Sequence, residues 1–408
     1  MKLHEHFVGD LLKAVRSGQG KDPAAATALI QDTLRAAGLL PGAPTSPSTP
    51  TQDQGKQFVD LNAVPTWAGR KAAADASPDP ASGAAAGAAG FTMPTPGAGM
   101  REALAEWAEK FKLHQPGQAK SRAPQHDPAA PGQFLEGEFG NAAGSRRYRL
   151  YVPSQPAEGP RPLVVMLHGC KQDAADFAAG TAMNALAEQH GCLVLYPEQT
   201  ARANGSNCWN WFEAQHQEQE AGEPSIIAGM TRDVLREHGG DADRVYVAGL
   251  SAGGAMAAIM AASHPDLYAA VGVHSGLAAG SAHDLMSGLN AMKGAHGRRA
   301  SVTRPVPVIV FHGDQDAIVS QSNGASVLQQ FMDGGGNLRT VEERGEDGRR
   351  YTKTAALDAS GRAQAEHWVL HGAGHAWAGG SPAGSYTDAS GPSASAEMLR
   401  FFLQHRQS

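Results

Sequence analysis

RVYVAGLSAGGAMAAIMAASHP, residues 244–265, decides the fold. The run RVYVAG is short, apolar and β-branched, which reads as a strand. AGGAMAAIMAASHP, residues 252–265, reads as a helix of small side chains stopped by Pro265. Between them Gly249-Leu250-Ser251-Ala252-Gly253 fits G-x-S-x-G. A serine at such a strand-to-helix turn is held in a strained conformation, and the flanking glycines relieve contacts between strand and helix. Ser251 is therefore the candidate nucleophile. The five-residue pattern is weak alone, and an ordinary glycine-rich turn would also match it. The strand before it and the helix after it are what give it weight.

Other apolar runs surround this unit: LVVMLH (163–168), CLVLYP (192–197), AAVGVHSG (269–276), PVIVFHG (307–313) and HWVLHG (367–372). They are continuous rather than alternating, as strands covered on both faces require, and helical patterns separate them. The expectation is an α/β fold with a mostly parallel, doubly wound sheet and helices on both faces. GQFLEGEF and SRRYRLYVP, just ahead of it, predict an antiparallel hairpin. Chemistry in such sheets gathers beyond the carboxyl ends of the strands. The polar residues here follow that rule.

PVIVFHGDQDAIV supplies Asp314 and Asp316 just past its strand, and HWVLHGAGHAWAGG supplies His375. The order serine, acid, histidine suits a triad in which the imidazole takes the Ser251 proton and a carboxylate orients the imidazole. The spacing alone leaves Asp314 beside Asp316 as the acid. His367, His371 and His375 recur every four residues, which on a helix would suggest a metal face, but Gly372 and Gly374 argue against a helix there. Acyl transfer also needs two N–H donors for the oxyanion. Ala252 follows the nucleophile, and Cys170 lies in the loop HGCKQD (168–173) after a strand, with Gly169 allowing close approach. The Cys170 side chain reads as a small packed group or as half of a disulfide with Cys208, whereas Cys192 begins a strand and is expected to be buried. Trp209 and Trp377 are candidate substrate-binding walls of the cleft, with Trp211 a weaker one. His168, His264 and His274 read as structural.

Residues 1–132 have a different texture and form the expected N-terminal extension, with the catalytic domain at 133–408. Phe7, Val8, Leu11, Leu12 and Val15 mark one amphipathic helix, and ATALIQDTLRAAGLL (26–40) a second. Residues 41–57 read as linker, and MREALAEWAEKFKLH (100–114) as a further short helix. Ala, Gly and Pro make up 20 of the 29 residues from 71 to 99, too little side-chain area to offset the entropy of ordering them. These helices are candidates for docking on a protein or an apolar granule surface.

Composition excludes several classes. The net charge of −6, with 34 Lys and Arg spread along 408 residues, gives no basic cluster for nucleic acid. The longest apolar stretch, residues 249–262, is too short and glycine-rich to span a membrane, and three cysteines do not make a disulfide scaffold. Neither GxGxxG nor GxxxxGK[ST] occurs, and no cofactor or metal is expected. Residues 1–20 lack the features of a secretory signal, so a cytoplasmic location is the expectation, with secretion left open.

LHGCKQDAADF, YPEQTARANGSNCWNWF, VAGLSAGGAMAAIMAASHPDLYAAVGVHSG, VIVFHGDQDAIV, GAGHAWAGGSPAGSYTDASGP and SAEMLRFFLQH together resemble the poly(3-hydroxybutyrate) depolymerase family of esterases, over roughly residues 133–405. ATALIQDTLRAAGLL resembles the leader of members that lack a signal peptide. The resemblance implies the α/β-hydrolase fold, a triad of Ser251, Asp316 and His375 rather than Asp314, and oxyanion donors at Cys170 and Ala252. It implies a serine carboxylester hydrolase acting on polyester or its oligomers. The family is related to feruloyl and acetylxylan esterases, so an ester of plant polysaccharide is the alternative substrate. A non-catalytic granule-binding protein is the alternative of a different class.

Overall fold

The computed structural model describes residues 130–295, 299–302, 304–332, 337–345 and 348–407. The helices, linker and granule-docking surface expected in the N-terminal extension lie outside the described residues. In chain order the elements begin with the strands β1 (Gln133–Asn141), β2 (Gly144–Val152) and β3 (Arg161–Leu167), then helices α1 (Ala174–Thr181) and α2 (Met183–His190). Next come β4 (Leu193–Pro197), α3 (Gly222–Glu237), β5 (Gly240–Leu250), α4 (Ala252–Ser263), β6 (Ala270–His274), α5 (Leu285–Met292), β7 (Val308–Gly313) and α6 (Ser322–Phe331). The chain closes with β8 (Asn337–Arg344), β9 (Arg350–Leu357), β10 (Ala363–Leu370), the short β11 (Trp377–Ala378) and β12 (Thr387–Asp388), and α7 (Ala394–Phe402).

Ten strands form one sheet in the order β1-β2-β4-β3-β5-β6-β7-β10-β9-β8. From β4 to β10 the neighbours run parallel, and an antiparallel pair extends each edge. All six apolar runs of the sequence are the parallel strands, and the predicted hairpin is β1–β2. The β8–β9 hairpin has no counterpart in the sequence reading. β8, NLRTVEER, is a charged edge strand with an exposed Leu338, so it carries no apolar run to detect.

Alternation along each central strand divides the core between the two faces. Leu163, Val165, Val247 and Val310 pack with Ile226, Met230, Met256 and Val327 from α3, α4 and α6. Val164, Met166, Tyr246 and Phe311 pack with Phe177, Met183, Met398 and Phe402 from α1, α2 and α7. Burial of each such side chain contributes about 1.5–3 kcal/mol, and cover on both faces is why these strands read as unbroken apolar runs. β4 lies on one side of β3 and β5 on the other, so the strand order reverses at β3/β5. A crevice opens at the carboxyl ends of strands at such a reversal. The loop after β3 and the turn after β5 meet there.

Candidate active site

Ser251 occupies the turn between β5 and α4 with φ 58° and ψ −119°, a left-handed φ that a non-glycine residue rarely holds. Its neighbours enforce that turn. A Cβ on Gly249 would meet the Gly253 carbonyl oxygen at 2.3 Å, and one on Gly253 would meet the Leu167 carbonyl oxygen at 2.0 Å. Both contacts are with backbone, which cannot move aside. Ser251 N–H donates to His274 O at 2.9 Å, tying the turn to the end of β6.

Asp316 and His375, 59 residues apart in sequence, meet with Nδ1 to Oδ2 at 2.7 Å, and both side chains are buried. The other Asp316 oxygen accepts the Ile318 and Val319 N–H groups at 2.9 Å each. Burial alone would raise the Asp316 pKa, but the His375 and His312 rings and these donors hold it at about 2. The carboxylate is thus ionised and pinned, as a group that orients an imidazole must be. Asp314 instead accepts from His371 Nδ1 at 3.0 Å and Gly372 N–H at 2.7 Å. His367, His371 and His375 therefore diverge, and no group of metal-ligating side chains forms among the described residues. Ser251 Oγ makes no hydrogen bond to His375 among the described residues; nucleophile–base bonds are often loose without substrate.

The two amides proposed for the oxyanion are free. In the loop after β3, the Gly169, Lys171 and Gln172 amides are bonded to Gln172 Oε1, Ser206 O and Gly169 O. Cys170 N–H and Ala252 N–H have no hydrogen-bond partner among the described residues. A Cβ on Gly169 would lie 3.7 Å from Ser251 Cβ, so this loop runs directly beside the nucleophile.

Cys170 and Cys208 form a disulfide, and Cys192 is free and buried. Burial pushes the Cys192 thiol up to about 12, so it is inert. The bridge joins the loop after β3 to the loop after β4. Behind it, buried Glu223 accepts Asn210 N–H and Asn210 Nδ2 at 2.8 Å each and pairs with Arg146 at 3.3 Å. Breaking the bridge with Cys208→Ser is expected to cost about 3–4 kcal/mol, because the 38-residue separation closes a long loop. Thermal melts with and without reductant check this. If residue 170 acts through its amide and not its sulfur, Cys170→Ala is expected to keep most hydrolysis of a p-nitrophenyl ester, measured by steady-state rates.

Trp209 and Trp377 do not line a cleft. They are 0% and 1% exposed. Trp377 stacks on His274 at 5.1 Å, meets Phe177 edge-on and donates Nε1–H to Ser395 Oγ at 3.0 Å. Trp209 packs on His168. Trp211 is buried as well. Large apolar area on a loop that folds back over the sheet is recovered by the core, so the substrate-wall assignment is corrected.

Several long-range contacts that position the site are not legible in the sequence. Gln172 binds the Gly169 amide and, through Nε2, Asp176 and Ser385 O, 213 residues away. His168, read as structural, bonds the Gly169 carbonyl through Nδ1 at 2.8 Å and accepts Gln199 N–H at Nε2. No local signal marks such long-range partners. Buried neutral histidines also set a pH dependence. Burial lowers His274 to about 3 and His367 to about 4, below the unfolded value near 6.5. The unfolded chain then binds more protons, so stability present above pH ~6.5 is lost as pH falls toward about 4. Melting temperatures between pH 7 and 4.5 should fall steadily; a flat profile would contradict this.

The fold and site define a serine-hydrolase type of α/β-hydrolase. Residues 146–351 match the family described as Esterase PHB depolymerase, and the chain belongs to it. It is 32% identical over 251 residues to poly(3-hydroxyalkanoate) depolymerase C of Paucimonas lemoignei, covering 58% of this chain and 60% of that protein. It is 29% identical over 263 residues to feruloyl esterase B of Thermothelomyces thermophilus, covering 58% of this chain and 86% of the relative. An acetyl xylan esterase structure from Aspergillus awamori is similar over 63% of this chain and 93% of its own, with 20% identity and a TM-score of 0.49. The chain thus spans less than two thirds of the Paucimonas relative. No helix among the described residues is long and apolar enough to cross a membrane.

Proposed function

We propose that the chain hydrolyses carboxylic esters through an acyl-Ser251 intermediate. Ser251 Oγ attacks the ester carbonyl while His375 Nε2 takes its proton, and Asp316 holds Nδ1–H and stabilises the imidazolium. The Cys170 and Ala252 amides bind the tetrahedral oxyanion. Collapse breaks the bond to the alcohol oxygen, which leaves with the proton from His375. Water then attacks the acyl group by the same route, releasing the acid and restoring Ser251. The observation that carries this reading is the buried Asp316–His375 hydrogen bond at 2.7 Å, with the Asp316 carboxylate ionised, together with the strained strand-to-helix turn that Ser251 holds. Hydrolysis of a p-nitrophenyl ester tests it, and absence of hydrolysis would favour a non-catalytic granule-binding role.

The substrate assigned is a 3-hydroxyalkanoate polyester or its oligomers, supported by the family and the Paucimonas relative. The feruloyl and acetylxylan esterase relatives support a second reading, an ester of plant polysaccharide. Rates on 3-hydroxybutyrate oligomers, feruloyl esters and acetylated xylan distinguish them; the oligomers are expected to be fastest. The catalytic unit is assigned to residues 133–408. Deleting residues 1–130 is expected to leave activity on soluble esters intact, and loss of the unfolding transition in that variant would refute the boundary.

A further inference from the structure

Ser251 and His375 stand on loops after different strands and share no hydrogen bond among the described residues, so another group must set their separation. We propose that His274, the last residue of β6, is the positioning residue that holds the His375 loop against the nucleophile turn. Its carbonyl accepts Ser251 N–H at 2.9 Å, and its Nε2 accepts Ala378 N–H at 3.1 Å, three residues beyond His375. One residue thus grips both loops, one by main chain and the other by side chain. The assignment rests on the ester-hydrolase reading, because it gives His274 its task in that reaction.

The surroundings fix how the ring is used. An N–H pointing at Nε2 requires a lone pair there, so the proton sits on Nδ1, which faces Ser275 Oγ at 3.2 Å. The ring is stacked between Trp377, at 5.1 Å, and Phe311, at 5.8 Å, and has no exposed surface. Burial first, then the neighbouring His312 and His375, hold its pKa at about 3 against the pull of Asp316, so the acceptor stays neutral. A Cβ on Gly254 would press on the His274 carbonyl at 3.0 Å, so that carbonyl is also closely packed. An apolar side chain could fill the stack between two aromatic rings. It could not accept the Ala378 amide, which would then be buried unpaired.

The test uses the full chain with His274→Gln, whose Oε1 reaches the same region, and His274→Met, of similar volume without that acceptor. His274→Met is expected to lower kcat about 100-fold, the scale of an ångström-sized misplacement. KM should stay within roughly twofold, because binding is not what is lost. Amide hydrogen exchange at Ala378 should quicken. His274→Gln should recover at least about tenfold of the lost kcat, together with the slow exchange. A folded Met variant with wild-type kcat overturns the proposal, as does a Gln variant that melts like wild type yet is as slow as Met. If Met fails to fold, a folded Gln variant at or below about a hundredth of wild-type kcat overturns it. Activity of the unmodified chain that Ser251→Ala abolishes shows separately that the ester-hydrolase reading holds. Were that activity absent, the exchange comparison would still decide whether His274 holds Ala378.

Discussion

Ser251→Ala and His375→Ala are each expected to lower kcat on a p-nitrophenyl ester by about 10⁴–10⁶, because members of a triad act as a unit. In the proposed mechanism no acyl-enzyme forms without Ser251. Without His375 the hydroxyl keeps its proton and the leaving alcohol receives none. Asp316→Asn should cost about 10⁴, since an amide in place of the carboxylate favours the wrong imidazole tautomer and leaves the imidazolium uncompensated. Asp314→Asn is the internal control. Asp314 serves His371 and the Gly372 amide, not His375, so most of the activity should remain. Steady-state rates of the four variants, with melting temperatures to confirm folding, check this. A larger loss at Asp314 than at Asp316 would reverse the assignment of the acid.

Gly253→Ala should have the largest effect on stability of any single methyl addition in the site. The new Cβ would lie 2.0 Å from Leu167 O, 2.5 Å from Leu167 C and 2.6 Å from His168 O. These are main-chain atoms at the end of β3, where Leu167 pairs with Gly249 of β5, and of the loop that follows it. Relief requires α4 to move off the sheet, which separates Ala252 N–H from Cys170 N–H and carries Ser251 with it. A destabilisation of about 3–5 kcal/mol is expected, a size reserved for core overpacking and backbone strain. That is a melting-temperature drop of roughly 10 °C, or failure to accumulate as soluble protein. By contrast, a Cβ on Gly374 meets nothing within 4 Å, so Gly374→Ala should melt near wild type. Thermal melts of the two variants side by side check the contrast, and equal melting temperatures would contradict it.

How much of this could be read in advance depends on the distance over which each feature is decided. The strand, turn and helix of residues 244–265 are local matters of apolar period and glycine spacing, and they stand where the sequence places them. The same is true of the β1–β2 hairpin and of the parallel strands, because two-sided burial demands unbroken apolar runs. The β8–β9 hairpin was illegible because an exposed edge strand needs no apolar run. Trp209 and Trp377 were misread because their loop positions suggested a cleft, whereas their area is large enough that folding buries it. His274 reads only as structural in the sequence, because its two partners lie 23 residues before it and 104 after it.

By itself the sequence determined the α/β class, the strand-to-helix turn at Ser251 and the chain order of Ser251, the two candidate aspartates and His375, since each follows from short-range periodicity, glycine placement or order. It narrowed the acid to two aspartates by residue pattern, with the family resemblance favouring one. Tertiary structure alone decided the rest: that Asp316 and not Asp314 meets His375, that Cys170 is bonded to Cys208, that both tryptophans close the core, and that His274 touches both loops. The physical reason is common to all four. Each depends on which strands lie side by side and how their loops pack at one end of the sheet, and hydrogen bonds of 3 Å between residues many positions apart leave no mark on the local pattern of either partner.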